Sequence, residues 1–165
     1  MTTATDAIFR ISHVFKASRD RVWAAWTTPD QLARWFGPKG TTGTLLDYDL
    51  RPGGSWFWRM DADGAPPMYG RFVFRVVDAP DRLQWVHGFA DEAGNRIRAP
   101  FPGDPWPLEM LTNVSFADHA GGTQVTLNFE PFQASDSERD TFIANMDGMQ
   151  GGWSGSFQQL EELLG

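Results

Sequence analysis

At 165 residues the chain is long enough to bury one core and to form a single domain over 1–165. Its 41% hydrophobic and 21% charged residues suit a globular protein, and a net charge of −7 excludes the basic patch that nucleic-acid binding needs. The absence of cysteine excludes disulfides, Cys-based zinc sites and thiol catalysis, and it fits a cytoplasmic location.

Residues 1–6 read as a frayed terminus without the basic and apolar parts of a signal peptide. No run approaches 18 apolar residues, so no membrane span is expected. Ile8 to Phe15 alternate with apolar residues on both sides, which predicts a first strand over 7–16 that is buried on both sides or at the centre of a sheet. Ser18 is placed to cap a short helix with Asp20 in its first turn and Val22, Trp23 and Trp26 on its apolar face. Thr28-Pro29-Asp30-Gln31 has the form of a capping box with proline at the first helical position. It predicts a second short helix ending at Gly37-Pro38.

From Thr42 the period changes to two. Leu46, Tyr48 and Leu50 share one strand face, and Gly53-Gly54 marks a bend or bulge. Trp56, Trp58 and Met60 form the next face, before a turn at Asp63-Gly64. Phe72, Phe74 and Val76 follow, and Asp78 to Asp81 turn the chain into Leu83, Trp85, His87 and Phe89. Met110, Thr112, Val114 and Phe116 make a further strand, and Gly121-Gly122 leads to Thr123, Val125, Leu127 and Phe129. Seven strands joined mostly by short turns imply antiparallel pairing. Residues 91–107, with Pro100, Pro102, Pro105 and Pro107, interrupt this series as a long loop.

Ser135-Asp136-Ser137-Glu138 is a second capping box. Phe142, Met146, Met149, Trp153, Phe157, Leu160 and Leu164 then step by three or four, one face of a helix. About 29 residues at ~1.5 Å each would span roughly 43 Å. Gly148, Gly151, Gly152 and Gly155 lie inside it, each costing about 1 kcal/mol against alanine. Either the helix kinks there, or small side chains serve close approach to the sheet, a ligand or a partner helix.

Three stretches carry a resemblance. They are Val22-Trp23-Ala24-Ala25-Trp26-Thr27-Thr28-Pro29-Asp30-Gln31-Leu32-Ala33-Arg34-Trp35-Phe36-Gly37-Pro38, then Asp49-Leu50-Arg51-Pro52-Gly53-Gly54, and last Gly152-Trp153 followed by Phe157, Leu160, Leu163 and Leu164. From Ile8 to Leu164 the chain resembles the START-like (SRPBCC) superfamily, in the branch similar to the C-terminal domain of the heat-shock protein 90 ATPase activator. The resemblance implies an α+β helix-grip (Bet v-type) fold. A curved antiparallel sheet of about seven strands wraps a long C-terminal helix, with two short helices after the first strand. It also implies a cavity between sheet and helix. Relatives bind lipids, sterols, polyketides or hormones, and some are cyclases or aromatases. The motif residues serve the fold, so no catalytic residue carries over.

The inward faces supply the candidate site. Trp56, Trp58, Phe72, Phe74, Trp85, Phe89 and Met110 from the strands, with Met146, Met149 and Trp153 from the helix, suit a small apolar or aromatic molecule. His87 and Thr112 are the polar groups placed to orient it. No His-x-x-x-His or comparable spacing occurs, so no metal and no cofactor are assigned. The reading therefore favours a binding protein. Its alternatives are a cyclase, aromatase or hydrolase with His87 as acid or base, and a chaperone-binding module. A homodimer could form through a sheet edge or the glycine stripe.

Overall fold

The computed structural model describes residues 7–37, 40–100 and 102–165. The expected frayed terminus 1–6, Pro38 at the predicted helix end and Phe101 in the predicted loop lie outside the described residues. The elements run β1 (Phe9–Phe15), α1 (Arg19–Thr27), α2 (Pro29–Trp35), β2 (Thr41–Tyr48), β3 (Ser55–Ala62), β4 (Met68–Asp78), β5 (Arg82–Ala90), β6 (Met110–His119), β7 (Gly122–Pro131), α3 (Asp136–Ala144) and α4 (Met146–Leu164). The seven strands form one antiparallel sheet in the order β1-β7-β6-β5-β4-β3-β2. No helix among the described residues is long and apolar enough to cross a membrane.

β1 is an edge strand, neither central nor buried on both sides. It pairs only with β7, and Arg10 and Ser12 point outward to Asn128 and Thr126 on that partner. Its inward residues Phe9 and Phe15 are buried, and the outer apolar positions Ile8 and Val14 are half-buried. Ile8 and Val14 gain their partial shelter without a second neighbouring strand.

The Ser18 hydroxyl caps α1 by accepting from the Arg21 N–H at 3.2 Å. The expected capping box at α2 does not form, although Pro29 does occupy its first turn. Thr28 ends α1 as well as preceding α2, and its N–H is already committed to Ala24 O at 2.8 Å. Gln31, which would have reached back to that N–H, instead accepts from Arg21 at 2.6 Å.

Two bulges re-aim the sheet. In β2 the register shifts between Leu45 and Asp47, leaving Leu46 48% exposed while Leu45 and Tyr48 pack on the core. In β4 it shifts between Phe74 and Val76, so Val77 rather than Val76 meets the core. The β2–β3 bend locks onto this second bulge. Gly53 N–H donates to Phe74 O at 2.8 Å, and Phe74 N–H returns to Gly54 O at 2.9 Å. A Cβ on Gly54 would sit 2.1 Å from Asp49 O and 3.0 Å from Arg51 O, both backbone atoms that cannot yield. Gly54→Ala should therefore cost about 3 kcal/mol by overpacking. Gly53→Ala should cost about 1–2 kcal/mol, because its φ of +83° is strained for alanine but nothing lies within 4 Å of the added carbon. Urea midpoints for the two variants check this ranking, and a Gly54→Ala variant as stable as the parent would refute it.

The C-terminal helix is not continuous. It breaks at Asn145, with φ −105° and ψ 6°, upstream of all four glycines. The Asn145 side-chain amide donates to Thr141 O at 2.7 Å and takes the carbonyl that its own N–H would use in an α-helix. That N–H turns to Phe142 O at 3.1 Å. α3 keeps its predicted capping box, with Ser135 and Glu138 reciprocally bonded. α4 runs through the glycines as regular helix. A Cβ on Gly148, Gly151 or Gly152 would meet nothing within 4 Å, so close approach to the sheet does not explain these three.

The core lies between the inward sheet face and α1, α2 and the second half of α4. Trp26, Trp35, Trp56, Trp85, Phe15 and Phe142 are its largest fully buried side chains. Ser156 and Gln159 of α4 donate to Gly37 O at 3.0 and 3.1 Å, tying that helix to the end of α2.

Candidate functional site

The first half of α4 does not close on the sheet as the second half does. A pocket of about 330 Å³ lies there, at the lower end of the size range for small-molecule sites. Its floor is the inward face of β3 to β7, represented by Trp58, Met60, Phe72, Trp85, Met110 and Phe129. Met149, Gly152, Trp153 and Ser156 of α4 form the opposite wall. Phe36 and Gly37 after α2, and Trp106 and Pro107 before β6, contribute from the sides.

Of the residues singled out from sequence, Trp58, Phe72, Trp85, His87, Phe89, Met110, Thr112, Met149 and Trp153 stand on this wall. Trp56 and Phe74 do not. Trp56 is 1% exposed and stacks beneath Phe72 at 4.0 Å and 13°, while Phe74 faces Tyr48 at 5.9 Å. Met146 packs on the core near the helix break and is also off the wall. Met60 and Phe129 also stand on the wall, on strand faces that alternation marks. Phe36, Trp106 and Pro107 come from irregular segments that no periodicity marks.

His87 sits in a stack of flat rings. Phe72 lies 4.6 Å away at 11° and Phe129 5.6 Å away at 18°. Burial, reinforced by the positive charge of Arg96, pushes its pKa down to about 3. The imidazole is therefore neutral at physiological pH, with no proton to give as an acid and, at so low a pKa, only weak basicity. Its Nδ1 is buried without a hydrogen-bond partner among the described residues, and so is the hydroxyl of Thr112. Such groups usually find partners, and each orphan costs about 1–3 kcal/mol.

Arg96 supplies charge without entering the pocket. Its guanidinium donates to Arg71 O at 2.9 Å, Gly88 O at 3.0 Å and the Glu109 carboxylate at 3.1 Å. Gly88 makes that crossing possible, since a Cβ there would meet Leu108 O at 2.3 Å and Arg96 Cδ at 3.0 Å. Among the described residues lining the pocket there is no Asp, Glu, Lys or Arg. Nor does any group of three or more His, Asp or Glu among the described residues stand ready for a metal.

The described residues of the 91–107 segment form an irregular stretch, as expected, that is held in place. Asp91 accepts from the N–H groups of Ala93 and Asn95 at 3.0 and 2.9 Å, and bonds from Asn95 hold its carboxyl below the usual range. Ile97 N–H extends the end of β5 by donating to Phe89 O at 3.0 Å. Arg98 then reaches the Glu138 carboxylate, and Trp106 lies 6.0 Å from Phe142. Burial works against ionising Glu138, yet the Ser135 N–H and Arg98 hold its carboxyl below the usual range. A second hollow shares Met60, Met68 and Tyr69 with the first and extends to Pro67, Ile97 and Pro100.

Residues 16–165 match the family described as activator of Hsp90 ATPase homolog 1-like protein. The chain belongs to that family. A crystal structure of a protein from Mycobacterium smegmatis is 28% identical, with a TM-score of 0.78 over 100% of this chain and 94% of that one. A solution structure from Arthrobacter aurescens is also 28% identical, with a TM-score of 0.79 over 99% and 89%. The AHSA1 protein of Silicibacter pomeroyi, 18% identical over 94% and 96%, shares the fold at a TM-score of 0.70. No curated protein matches the chain. Family membership and the helix-grip fold, both expected from the three sequence stretches, stand on these matches and on the seven-stranded sheet with its C-terminal helix.

Proposed function

We propose that the protein binds a small apolar or aromatic molecule, in the cytoplasm, in the pocket between the sheet and the first half of α4. The observation that carries the reading is an aromatic and methionine wall of molecular size holding two buried polar atoms, His87 Nδ1 and Thr112 Oγ1, that have no hydrogen-bond partner among the described residues. Apolar surface favours such a ligand by roughly 25 cal/mol per Å² removed from water. Methionine at four wall positions, Met60, Met68, Met110 and Met149, lets the shape adapt. A chaperone-directed role draws only on the family name, and the low pKa of His87 makes it a weak base with no proton to donate.

The neutral fluorophore 1-aminoanthracene tests this. Its emission should rise saturably at one equivalent per chain. Gly152→Phe should abolish that rise while leaving the fold intact, because position 152 is helical, exposed and on the pocket wall with open space around it. No saturable rise, or full binding by Gly152→Phe, would overturn the proposal.

A further inference from the structure

The ligand's polarity can be read from the wall, and this step rests on the binding reading just given. We infer that the pocket selects an uncharged, aromatic-bodied molecule carrying one neutral oxygen, with His87 and Thr112 as its hydrogen-bonding partners. Three observations converge on this class.

The first is charge. Among the described wall residues none is ionised, and His87 is neutral at physiological pH. A carboxylate or ammonium entering this wall would lose its hydration without a counter-charge, which is the costliest transfer a ligand can make. Arg96 does not change this, since its donors are already directed at two carbonyls and Glu109.

The second is hydrogen bonding. His87 pairs across the strands with Met110, and Thr112 lies two residues farther along the same face. Such diagonal neighbours stand roughly 7–8 Å apart at the backbone, within reach of one oxygen seated between their side chains. Thr112 can donate or accept, and a neutral imidazole offers one donor and one acceptor. A hydroxyl or a carbonyl oxygen therefore satisfies them equally well, and neither requires a charge. Both orphaned atoms are shut off from solvent as placed, so they meet a ligand by rotation, about χ1 for Thr112 and about χ2 for His87, the latter keeping the ring in its stack.

The third is shape. The parallel stack of Phe72, His87 and Phe129 presents ring edges, and Trp153 stands opposite on α4. Ring edges carry partial positive charge and favour the π face of another ring.

Three probes of one skeleton separate these contributions: naphthalene, 2-naphthol and 2-naphthoate, titrated at pH 7 against 15N-labelled protein and followed at the indole N–H signals of Trp58, Trp85 and Trp153. 2-Naphthol should bind about tenfold more tightly than naphthalene, the gain of one well-made hydrogen bond. 2-Naphthoate should bind at least about a hundredfold more weakly than 2-naphthol. Thr112→Val, which keeps the side-chain shape, should bring 2-naphthol down to the naphthalene level and leave naphthalene unchanged. His87→Phe should do the same, and either variant alone suffices if the other folds poorly. Equal binding of 2-naphthoate and 2-naphthol would overturn the inference and leave the pocket reading standing. So would a naphthol preference that survives both variants. If none of the three probes moves the indole signals, the pocket reading falls and takes the inference with it.

Discussion

Trp35→Ala should destabilise the protein by about 4 kcal/mol, a large share of the 5–15 kcal/mol typical of a folded domain. Trp35 is 1% exposed at the end of α2, and its ring meets Trp26 edge-on at 4.6 Å and Phe36 at 5.5 Å. Its Nε1 donates to Ala25 O at 2.8 Å, the buried bond that locks α2 against α1. Truncation removes the ring, opens a cavity between two helices and leaves that carbonyl unpaired. The damage also spreads, since Gly37 two residues on receives the hydrogen bonds that tether α4. At about 2–4 °C per kcal/mol for a chain of this size, the melting temperature should fall by roughly 8–16 °C. Scanning calorimetry measures it, and a loss of under about 1 kcal/mol would show that the helical layer tolerates the cavity. Trp153, half-buried on the pocket wall, should cost less to truncate because the pocket has already left one of its sides unpacked.

Acid should destabilise the protein through His87 well before its carboxylates matter. In the unfolded chain this residue takes up a proton near pH 6.5, whereas in the fold burial holds its pKa at about 3. Between those values the unfolded state binds a proton that the folded state refuses, so stability falls as the pH drops from 6.5 toward 3. The slope from this single group approaches about 1.4 kcal/mol per pH unit below pH 6.5, amounting to about 2 kcal/mol between pH 6.5 and 4.5. The carboxyls of Asp91 and Glu138 are held low in the fold, so their stabilisation is lost only at more acidic pH. Urea unfolding at pH 6.5, 5.5 and 4.5 should show the slope in the parent and in Thr112→Val, and its loss in His87→Phe. An unchanged slope in His87→Phe would mean that the buried imidazole is not the titrating group.

Much of the wall was readable because strands report facing directly. Trp58, Phe72, Trp85, His87, Met110 and Thr112 alternate with outward residues, and in antiparallel pairing alternation alone brings them onto one surface. Helical spacing likewise brought Met149 and Trp153 to the same side of α4. Alternation failed at Leu46 and Val76 because one bulged residue reverses every side chain beyond it, and nothing in Leu45-Leu46-Asp47 announces the extra residue. The continuous helix failed at Asn145 for a different reason. Its amide competes locally for the Thr141 carbonyl, and a hydrophobic stripe carries no record of such a contest.

The sequence by itself determined the order of the elements, the inward face of most strands, the caps on α1 and α3, and the family. These depend on interactions between near neighbours along the chain or on a motif spaced along it. Only the tertiary structure decided that β1 lies at an edge, that Trp56 and Phe74 sit beneath the wall rather than on it, and that Phe36 and Trp106 complete it. Periodicity states which way a side chain points, but not how far away the opposing element stands. That separation is set by Ser156 and Gln159 drawing one half of α4 onto Gly37, while the half beyond the Asn145 break stands off from the sheet and leaves the pocket beneath it.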